Sequence, residues 1–156
     1  MTRRYVLGFA FDPSLSRVIL IRKVKPPWQA GRVNGIGGHI EEDELSCEAM
    51  GREFSEETGI EADLSWAQYA QLSGSGKEDW LIDIYRSVSA SLPQEDRHMG
   101  ELKWSFTTSE GTAEIVQVSD LKNQPVLPNL LYLIPMAINH IQGTDKCRFF
   151  SIMEGS

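Results

Sequence analysis

The sequence predicts an α+β fold in which a mixed β-sheet lies between helices. Segments rich in β-branched and aromatic residues dominate the chain and are separated by turn signals. Only two segments carry the start and stop signals of a helix. These two helices are not expected to be simple βαβ crossovers, which favours α+β over a purely parallel α/β sheet. The 156 residues are expected to form one domain, residues 1–156.

The predicted strands surround a loop rich in proline and glycine. Residues 5–11 and 17–22 are predicted as strands joined by the turn signal DPSLS. The loop KPPWQAGRVNGIGG follows and leads into an acidic segment. Later strands are predicted at residues 67–72, 80–89 and 114–118, and CRFFSIM is predicted to close the chain as one more strand.

The two helices are predicted from the residues at their ends. The first runs from Ser46, expected as the N-cap, to Gly59, expected just after the last helical residue. The second covers residues 129–141 and ends near Gly143. It contains Pro135, which predicts a kink or a later start.

Composition and charge exclude some classes of protein. The net charge of −7 argues against binding a nucleic acid polymer through a basic face. No apolar run approaches the roughly 18 residues needed to cross a bilayer. Cys47 and Cys147 form no metal-binding pair, and they predict buried thiols in a reducing cytoplasm. We therefore expect a cytoplasmic protein without a membrane or nucleic-acid partner.

The segment GHIEEDELSCEAMGREFSEETGI concentrates negative charge. Residues 41–61 hold nine carboxylates and a single base, Arg52. Glu53, Glu56 and Glu57 stand at i, i+3 and i+4, which places them on one helical face. Converging carboxylates are ligands for hard divalent cations such as Mg²⁺. A solvated acidic surface explains the spacing equally well.

The residues around these acids also suit a ligand site. Arg52 lies one turn before Glu56 and can hold its carboxylate by a charge-assisted hydrogen bond. Gly35, Gly37 and Gly38 would let the backbone approach a ligand just before the helix.

The residue identities in this segment resemble the Nudix signature, G-x5-E-x7-R-E-U-x-E-E-x-G-U, where U is apolar. Every position is filled, by Gly38, Glu44, Arg52, Glu53, Phe54, Glu56, Glu57, Gly59 and Ile60. The resemblance implies an α/β/α sandwich with a mixed, curved β-sheet between helices. It also implies hydrolysis of a nucleoside diphosphate linked to another group, by attack of water on phosphorus. The implied cofactor is Mg²⁺, with Mn²⁺ as a substitute.

The resemblance implies roles for the acids by position. Glu53, Glu56 and Glu57, with the backbone of Gly38, correspond to the metal ligands of the family. Either Glu53 or Glu56 assists deprotonation of water, and Arg52 belongs with these catalytic residues as an orienting group.

Other positions are implied to be structural or to supply a further ligand. Glu44 and Gly59 fill structural positions of the signature. Several members of the family use another carboxylate from a loop before a later strand. Glu110 fits that spacing best, and Glu114 is the alternative. Each of them is otherwise an exposed acid of a loop or a strand edge.

Two stretches outside the signature concern the base. WQAGRVNGIGGHIEEDE resembles the sanitising nucleoside triphosphatases of the family, which implies that Asn34 contacts a purine base and that Trp28 lines its pocket. Equal alternatives are a turn residue for Asn34 and a cover for the core for Trp28. LPNLLYLIPMAI resembles the entry to the family's last helix, where Asn129 would read the base. Asn129 is also an ordinary N-cap candidate, which we favour slightly.

Basic residues near the loop are candidates for contact with phosphate. They are Arg22, Lys23, Lys25 and Arg32, of which at least two are expected to be exposed loop charges. His39 replaces a lysine that is common at its position in the family, which makes that charge dependent on pH.

We predict a (deoxy)nucleoside triphosphate pyrophosphohydrolase that releases nucleoside monophosphate and pyrophosphate. Oxidised purine nucleotides such as 8-oxo-dGTP are among its candidate substrates. The alternatives are a Nudix pyrophosphatase acting on ADP-ribose or another nucleoside diphosphate derivative, and a catalytically silent nucleotide sensor. The expected partner is a small-molecule nucleotide, and the sequence leaves a monomer and a homodimer equally open.

Overall fold

The computed structural model describes residues 1–93, 104–143 and 149–154. In these residues, nine strands form one sheet, accompanied by two α-helices and by two short 3₁₀ segments, Pro27–Gln29 and Val118–Asn123. The strands are β1 (Thr2–Phe11), β2 (Arg17–Lys23), β3 (Val33–Asn34), β4 (Ile36–His39), β5 (Ala67–Gly74), β6 (Asp79–Val88), β7 (Ser105–Thr107), β8 (Gly111–Gln117) and β9 (Phe150–Met153). The helices are α1 (Ser46–Thr58) and α2 (Leu130–Gln142).

The sheet is mixed, which confirms the predicted α+β class. Its order is β7-β8-β2-β1-β6-β5-β9, with β3 beside β2 and β4 beside β1. The pairs β1–β6 and β5–β9 are parallel, and the other pairs are antiparallel. Every strand predicted from the sequence is present, although Cys147 and Arg148 of CRFFSIM lie outside the described residues. The additional strands β3, β4 and β7 are too short to show a repeated hydrophobic pattern, so the sequence does not predict them.

The sheet opens between β1 and β2. These two strands pair near one end only, at Ala10 with Ile19 and at Phe11 with Val18. Beyond this point, β4 pairs with β1, and β3 pairs with β2. The β3–β4 segment thereby fills the widening gap, and the strand edges around it frame a cleft.

Helices cover both faces of the sheet, as an α/β/α sandwich requires. On one face, Val6, Ala10 and Ile21 pack with Met50 and Phe54 of α1. Residues of the opposite face of β1 and β2 pack with α2, namely Leu7, Phe9, Leu20, Leu133 and Ile134. Because successive side chains of a strand point to opposite faces, β1 and β2 supply both cores. Each fully buried side chain of this size contributes about 1.5–3 kcal/mol.

The predicted start of α1 is wrong by one residue, whereas its predicted end is confirmed. Leu45 occupies the N-cap position, and its N–H donates to Glu48 Oε2 at 3.0 Å. Ser46 is the first helical residue, and its hydroxyl donates to Asp83 at 2.6 Å, so it does not cap the helix. Gly59 follows the helix with a φ of +67°, which glycine adopts without strain.

Pro135 does not delay the start of α2, so that part of the prediction is wrong. The helix begins at Leu130 and continues through Pro135 to Gln142. Proline removes the N–H that would bond the carbonyl of Leu131, four residues earlier. Because Leu131 is exposed, water can satisfy that carbonyl. Gly143 ends the helix with a φ of +65°, close to the predicted position.

A buried aspartate ties the first turn of α1 to the sheet. Asp83 of β6 is 3% exposed. It accepts hydrogen bonds from Ser46 Oγ at 2.6 Å, Gln71 Nε2 at 2.7 Å and Arg4 Nη2 at 3.3 Å. The hydroxyl of Tyr85 lies 2.8 Å from Ser46 Oγ and donates to it. Residues of β1, β5 and β6 therefore converge on the start of α1.

Removing this carboxylate should destabilise the fold. For Asp83→Ala we expect the free energy of unfolding to fall by about 2–4 kcal/mol, because donors on β1, β5 and α1 lose a buried acceptor. Urea unfolding followed by circular dichroism measures the change. Asp63→Ala, at an exposed loop position, is the control and should stay within about 0.5 kcal/mol of the parent. Equal stability of the two variants would contradict the anchoring role.

The structure describes Cys47 but not Cys147. Cys47 is exposed, so the prediction of a buried thiol is wrong for this residue. Cys47 lies in the first turn of α1. In that turn, the neighbouring Ser46 makes the hydrogen bond to Asp83 of the sheet. Cys147 lies outside the described residues. Among the residues that are described, no helix is long and apolar enough to cross a membrane.

Candidate active site

A cleft of about 1290 Å³ opens beside the β3–β4 segment. One part of its wall is acidic and consists of the α1 glutamates together with Gly37, Gly38 and Glu110. Another part carries the aromatic ring of Trp28, the apolar side chain of Leu127 and the amide groups of Gln29, Asn34 and Asn129. Small-molecule sites usually measure roughly 300–1,000 Å³, so a ligand of nucleotide size fits in this cleft.

The three glutamates on the face of α1 differ in exposure. Glu57 is 3% exposed, whereas the side chains of Glu53 and Glu56 are 13% and 59% exposed. The N–H of Gly37 donates to Glu57 Oε2 at 3.3 Å. A Cβ on Gly38 would lie 2.4 Å from Glu53 Oε1. The backbone of β4 therefore approaches the carboxylates closely, and a side chain at position 38 would require the Glu53 carboxylate to move.

Arg52 connects the members of the acidic segment. Its guanidinium donates to both oxygens of Glu44, at 2.7 and 3.1 Å, and to the carbonyl oxygen of His39 at 3.0 Å. It also donates to Glu53 Oε1 at 2.9 Å and to Glu56 Oε2 at 3.3 Å, the contact expected from the helical spacing. The hydrogen bond between Glu44 and Arg52 is the main reason that the pKa of Glu44 is lowered and that of Arg52 raised. One side chain thus fixes two α1 glutamates relative to β4.

Negative charge in the cleft is not fully balanced by protein groups. Burial raises the pKa of Glu57 to about 8, although Lys23 acts in the opposite direction. Burial also raises the pKa of Glu53, against the opposing effect of Arg52. A bound cation would favour the charged form of both carboxylates. Oxygen donors in such a setting suit a hard divalent cation.

The side chains as they lie do not form a complete metal-binding group. Within residues 1–93, 104–143 and 149–154, no three acidic, histidine or cysteine side chains are placed to hold one ion. Glu56 bonds to Arg52, while Glu57 is buried. Metal binding by the three glutamates therefore requires a change in side-chain positions.

Of the two candidates for an additional carboxylate, Glu110 lines the cleft. It precedes β8 and pairs with Lys23 at 3.5 Å and with Lys25 at 3.2 Å, which also line the cleft. Glu114 lies within β8 and pairs with Arg22 at 3.1 Å. Neither Glu114 nor Arg22 is among the described residues that line the cleft. Their placement gives no support to phosphate binding by Arg22 or to metal binding by Glu114.

Several residues of the cleft carry no signal in the sequence. Arg3, Lys77 and Trp80 come from β1, the β5–β6 turn and β6, and the pairing of β1 with β6 brings them to the cleft. Gln29 lies within the stretch WQAGRVNGIGGHIEEDE, but the resemblance assigns it no role, and it also lines the cleft. Arg32, a candidate for phosphate contact, is exposed and is not among the described lining residues.

Trp28 and Asn34 both lie in the cleft wall. Trp28 is 68% exposed, so its interpretation as a cover for the core is wrong. Asn34 belongs to β3 and has no positive φ, so its interpretation as a left-handed turn residue is wrong as well. The Oδ1 of Asn34 accepts a hydrogen bond from Gly35 N–H at 2.8 Å, and its Nδ2 donates to Gln29 Oε1 at 3.3 Å.

Asn129 lines the cleft at the start of α2. Asn129 occupies the N-cap position, as the favoured interpretation expects, but its side chain makes no capping hydrogen bond. Its Oδ1 is buried and has no hydrogen-bond partner among the described residues. Because an unpaired buried amide oxygen costs free energy, a ligand that donates a hydrogen bond to it would be stabilised.

The protein-family model for the NUDIX domain matches residues 1–128 of this sequence. The chain therefore belongs to the Nudix family. This is a family of hydrolases, which generally depend on a divalent metal. No curated protein matches the sequence.

Solved structures share the fold at low sequence identity. The NUDIX domain of Shewanella oneidensis NrtR, in complex with ADP-ribose, has a TM-score of 0.71 and 16% identity over 90% of this chain and 89% of that chain. A MutT protein from Bacillus halodurans has a TM-score of 0.67 and 20% identity over 98% and 90%. A NUDIX-family hydrolase from Clostridium perfringens has a TM-score of 0.60 and 21% identity over 88% and 97%. At such identities the likeness establishes the fold.

Proposed function

We propose that this chain hydrolyses a (deoxy)nucleoside triphosphate to the monophosphate and pyrophosphate, with Mg²⁺ as cofactor and Mn²⁺ as a substitute. The observation that carries the proposal is that one cleft joins the acidic face of α1 to Trp28, Asn34 and Asn129. The acidic part suits a metal with phosphates, and a ring beside amide groups suits a base. We also propose that residues 1–156 form a single domain and that the protein is cytoplasmic.

The metal would be held by the face of α1 and its surroundings. Glu53, Glu56 and Glu57 are the proposed ligands, with the backbone of Gly38 and the carboxylate of Glu110. When bound, the metal supplies charge neutralisation at the phosphate oxygens and lowers the pKa of a bound water.

The remaining work falls to protein groups. Glu53 or Glu56 accepts the proton of the attacking water as its oxygen bonds to phosphorus and the bond to the leaving group breaks. Arg52 holds both of these carboxylates and acts as a positioning residue. Lys23 and Lys25 line the cleft beside Glu110 and can contact phosphate oxygens.

The base would lie against the aromatic and amide part of the cleft. The exposed ring of Trp28 offers a stacking surface. Asn34 and Asn129 offer amides, which both donate and accept hydrogen bonds at a base edge. Where the mammalian-type oxidised-purine enzyme of the family carries two adjacent acids, this chain has Asn129 and Leu130. Recognition of 8-oxo-dGTP would therefore depend on amide contacts.

Hydrolysis of ADP-ribose or another nucleoside diphosphate derivative is the second candidate. The NrtR domain that resembles this chain in fold is bound to ADP-ribose. The cleft also extends past the amide groups to Leu72, Trp80 and Ile82, which leaves room for a second sugar.

A panel of nucleotides tests the proposal. Purified protein with Mg²⁺ should release pyrophosphate and monophosphate from at least one normal or oxidised nucleoside triphosphate. Glu56→Gln should lower kcat by about 100-fold or more, because metal activation is worth several kcal/mol and each 1.36 kcal/mol is tenfold. Glu61→Gln, an exposed acid after α1, is the matched control and should leave kcat unchanged.

The outcomes separate the candidates. Faster release of AMP and ribose phosphate from ADP-ribose than of pyrophosphate from any triphosphate would favour the second candidate. Metal-dependent binding without turnover of any nucleotide would identify a silent sensor and refute the enzymatic proposal.

A further inference from the structure

We propose that Gln29 is a specificity-determining residue, which selects bases that carry an oxo group over bases that carry an amino group at the same position. The inference rests on the proposed function, since it assigns a base preference to the same cleft. It depends on the orientation of two neighbouring amide groups, those of Gln29 and Asn34.

A backbone donor fixes the orientation of both amides. The N–H of Gly35 can only donate, so the atom of Asn34 that faces it at 2.8 Å must be the oxygen. Nδ2 of Asn34 therefore points the other way and donates to Gln29 at 3.3 Å. The atom of Gln29 that receives this bond must in turn be Oε1. The free end of the Gln29 amide is consequently Nε2, which carries two N–H groups.

These N–H groups remain available at the wall of the cleft. None of the described residues accepts a hydrogen bond from Gln29 Nε2, and Gln29 is only partly buried. Gln29 directly follows Trp28 in the 3₁₀ segment Pro27–Gln29, and both residues line the cleft. Because the two residues line the same cleft, we place a base that stacks on the exposed ring of Trp28 with its edge towards the Gln29–Asn34 pair.

The pair presents donors, so it favours acceptors on the base. Guanine and thymine carry an oxo acceptor where adenine and cytosine carry an amino donor. An amino group facing Gln29 Nε2 would place donor against donor and leave both unpaired in a partly desolvated site. Inosine and adenosine triphosphates form the simplest test pair, because their bases differ in the oxo or amino group at position 6.

Gln29→Glu tests the inference with a nearly isosteric change. The new carboxylate still accepts the bond from Asn34, while its second oxygen replaces the N–H donors by an acceptor. We expect the ratio of kcat/KM for inosine triphosphate to that for adenosine triphosphate to fall by about 10- to 100-fold. The added negative charge weakens binding of both triphosphates alike, so it cancels in the ratio. Gln29→Ala removes the donors and should bring the ratio close to one.

Gln117→Glu is the matched charge control. Gln117 is exposed at the end of β8 and is not among the described residues that line the cleft. The ratio of kcat/KM for inosine triphosphate to that for adenosine triphosphate should be the same in Gln117→Glu as in the parent. Circular dichroism melts of all variants show that the altered ratios come from folded protein.

The inference and the proposed function fail in different ways. If the parent hydrolyses both triphosphates and Gln29→Glu leaves their ratio unchanged, the role of Gln29 is refuted and the enzymatic proposal stands. If the parent hydrolyses no triphosphate, the proposed function fails, and calorimetric affinities for the same two nucleotides test the inference instead. Equal affinities of the parent for the two nucleotides, or binding of neither, would then refute the preference for an oxo group.

Discussion

Glu57→Gln is expected to slow hydrolysis severely and, without metal, to make the fold more stable above pH 8. Glu57 is 3% exposed, and burial raises its pKa to about 8, against an ordinary value of 4.5. The folded protein therefore binds the proton of Glu57 more tightly than the unfolded chain does. The ionised carboxylate opposes folding by a few kcal/mol. Glutamine removes that charge but keeps an acceptor for the N–H of Gly37.

The pH dependence of stability follows from the pKa of Glu57 in the folded protein and in the unfolded chain. Below about pH 4.5, the carboxyl group of Glu57 is protonated in both states and carries no penalty. The penalty grows as pH rises from 4.5 towards 8 and is complete above the folded pKa of about 8. Thermal unfolding in chelator should therefore give similar midpoints for parent and variant at low pH, and a higher midpoint for Glu57→Gln above pH 8.

Adding metal should reverse the order of the two unfolding midpoints, so that the parent becomes more stable than Glu57→Gln. An ion that binds only the folded parent raises its midpoint as the concentration increases, whereas Glu57→Gln should respond weakly. The kcat of the variant should fall by about 100-fold or more. Glu61→Gln, which also removes one negative charge but at an exposed position, should follow the parent in both measurements. A variant that is less stable than the parent at pH 9 in chelator would contradict the assignment of Glu57 as an uncompensated charge.

Arg52→Lys should behave as a severe substitution although it preserves the charge. The guanidinium of Arg52 bonds both oxygens of Glu44 and also bonds Glu53, Glu56 and the His39 carbonyl. A compact ammonium cannot reproduce this planar fork. We expect kcat/KM to fall by about 10- to 100-fold, as is usual when a group that orients metal ligands is lost. The apparent affinity for Mg²⁺ should fall with it.

Titration of activity with Mg²⁺ separates positioning from general destabilisation. A positioning role predicts that the concentration of Mg²⁺ for half-maximal rate rises in Arg52→Lys, and that high Mg²⁺ recovers part of the rate. Arg32→Lys, at an exposed loop position, is the control and should match the parent. If Arg52→Lys loses rate with no change in Mg²⁺ dependence, Arg52 does not act through the metal ligands.

Most of the acidic part of the cleft could be predicted because it is contiguous in the sequence. The acids and Arg52 occupy one segment, so helical spacing alone places Glu53, Glu56 and Glu57 on one face. The β4 glycines lie directly before that segment, and their close approach to the carboxylates follows the expectation. The α+β class could be predicted for a related reason, since each long strand carries its own hydrophobic pattern.

The other features of the fold and of the cleft could not be predicted, because they depend on contacts between distant parts of the chain. Asp83 reaches Ser46 and Arg4 only because β6 pairs with β1, and no local pattern marks it. Gln29 gains its orientation from Asn34, five residues away across a turn. Asn129 has the composition of an N-cap, yet its side chain makes no such bond, because composition does not determine which way a side chain points.

The parallel pairing of β1 with β6 connects α1 to a strand that is synthesised after it. Residues 2–11 pair with residues 79–88, so the central ladder closes a long loop that contains all of α1. Closing such a loop costs entropy before any contact repays it, and folds dominated by distant pairings form slowly. On the ribosome, every carboxylate of the signature emerges before the strand that anchors the start of α1. The glutamates of the signature segment are thus synthesised before β6, whose Asp83 bonds the start of α1.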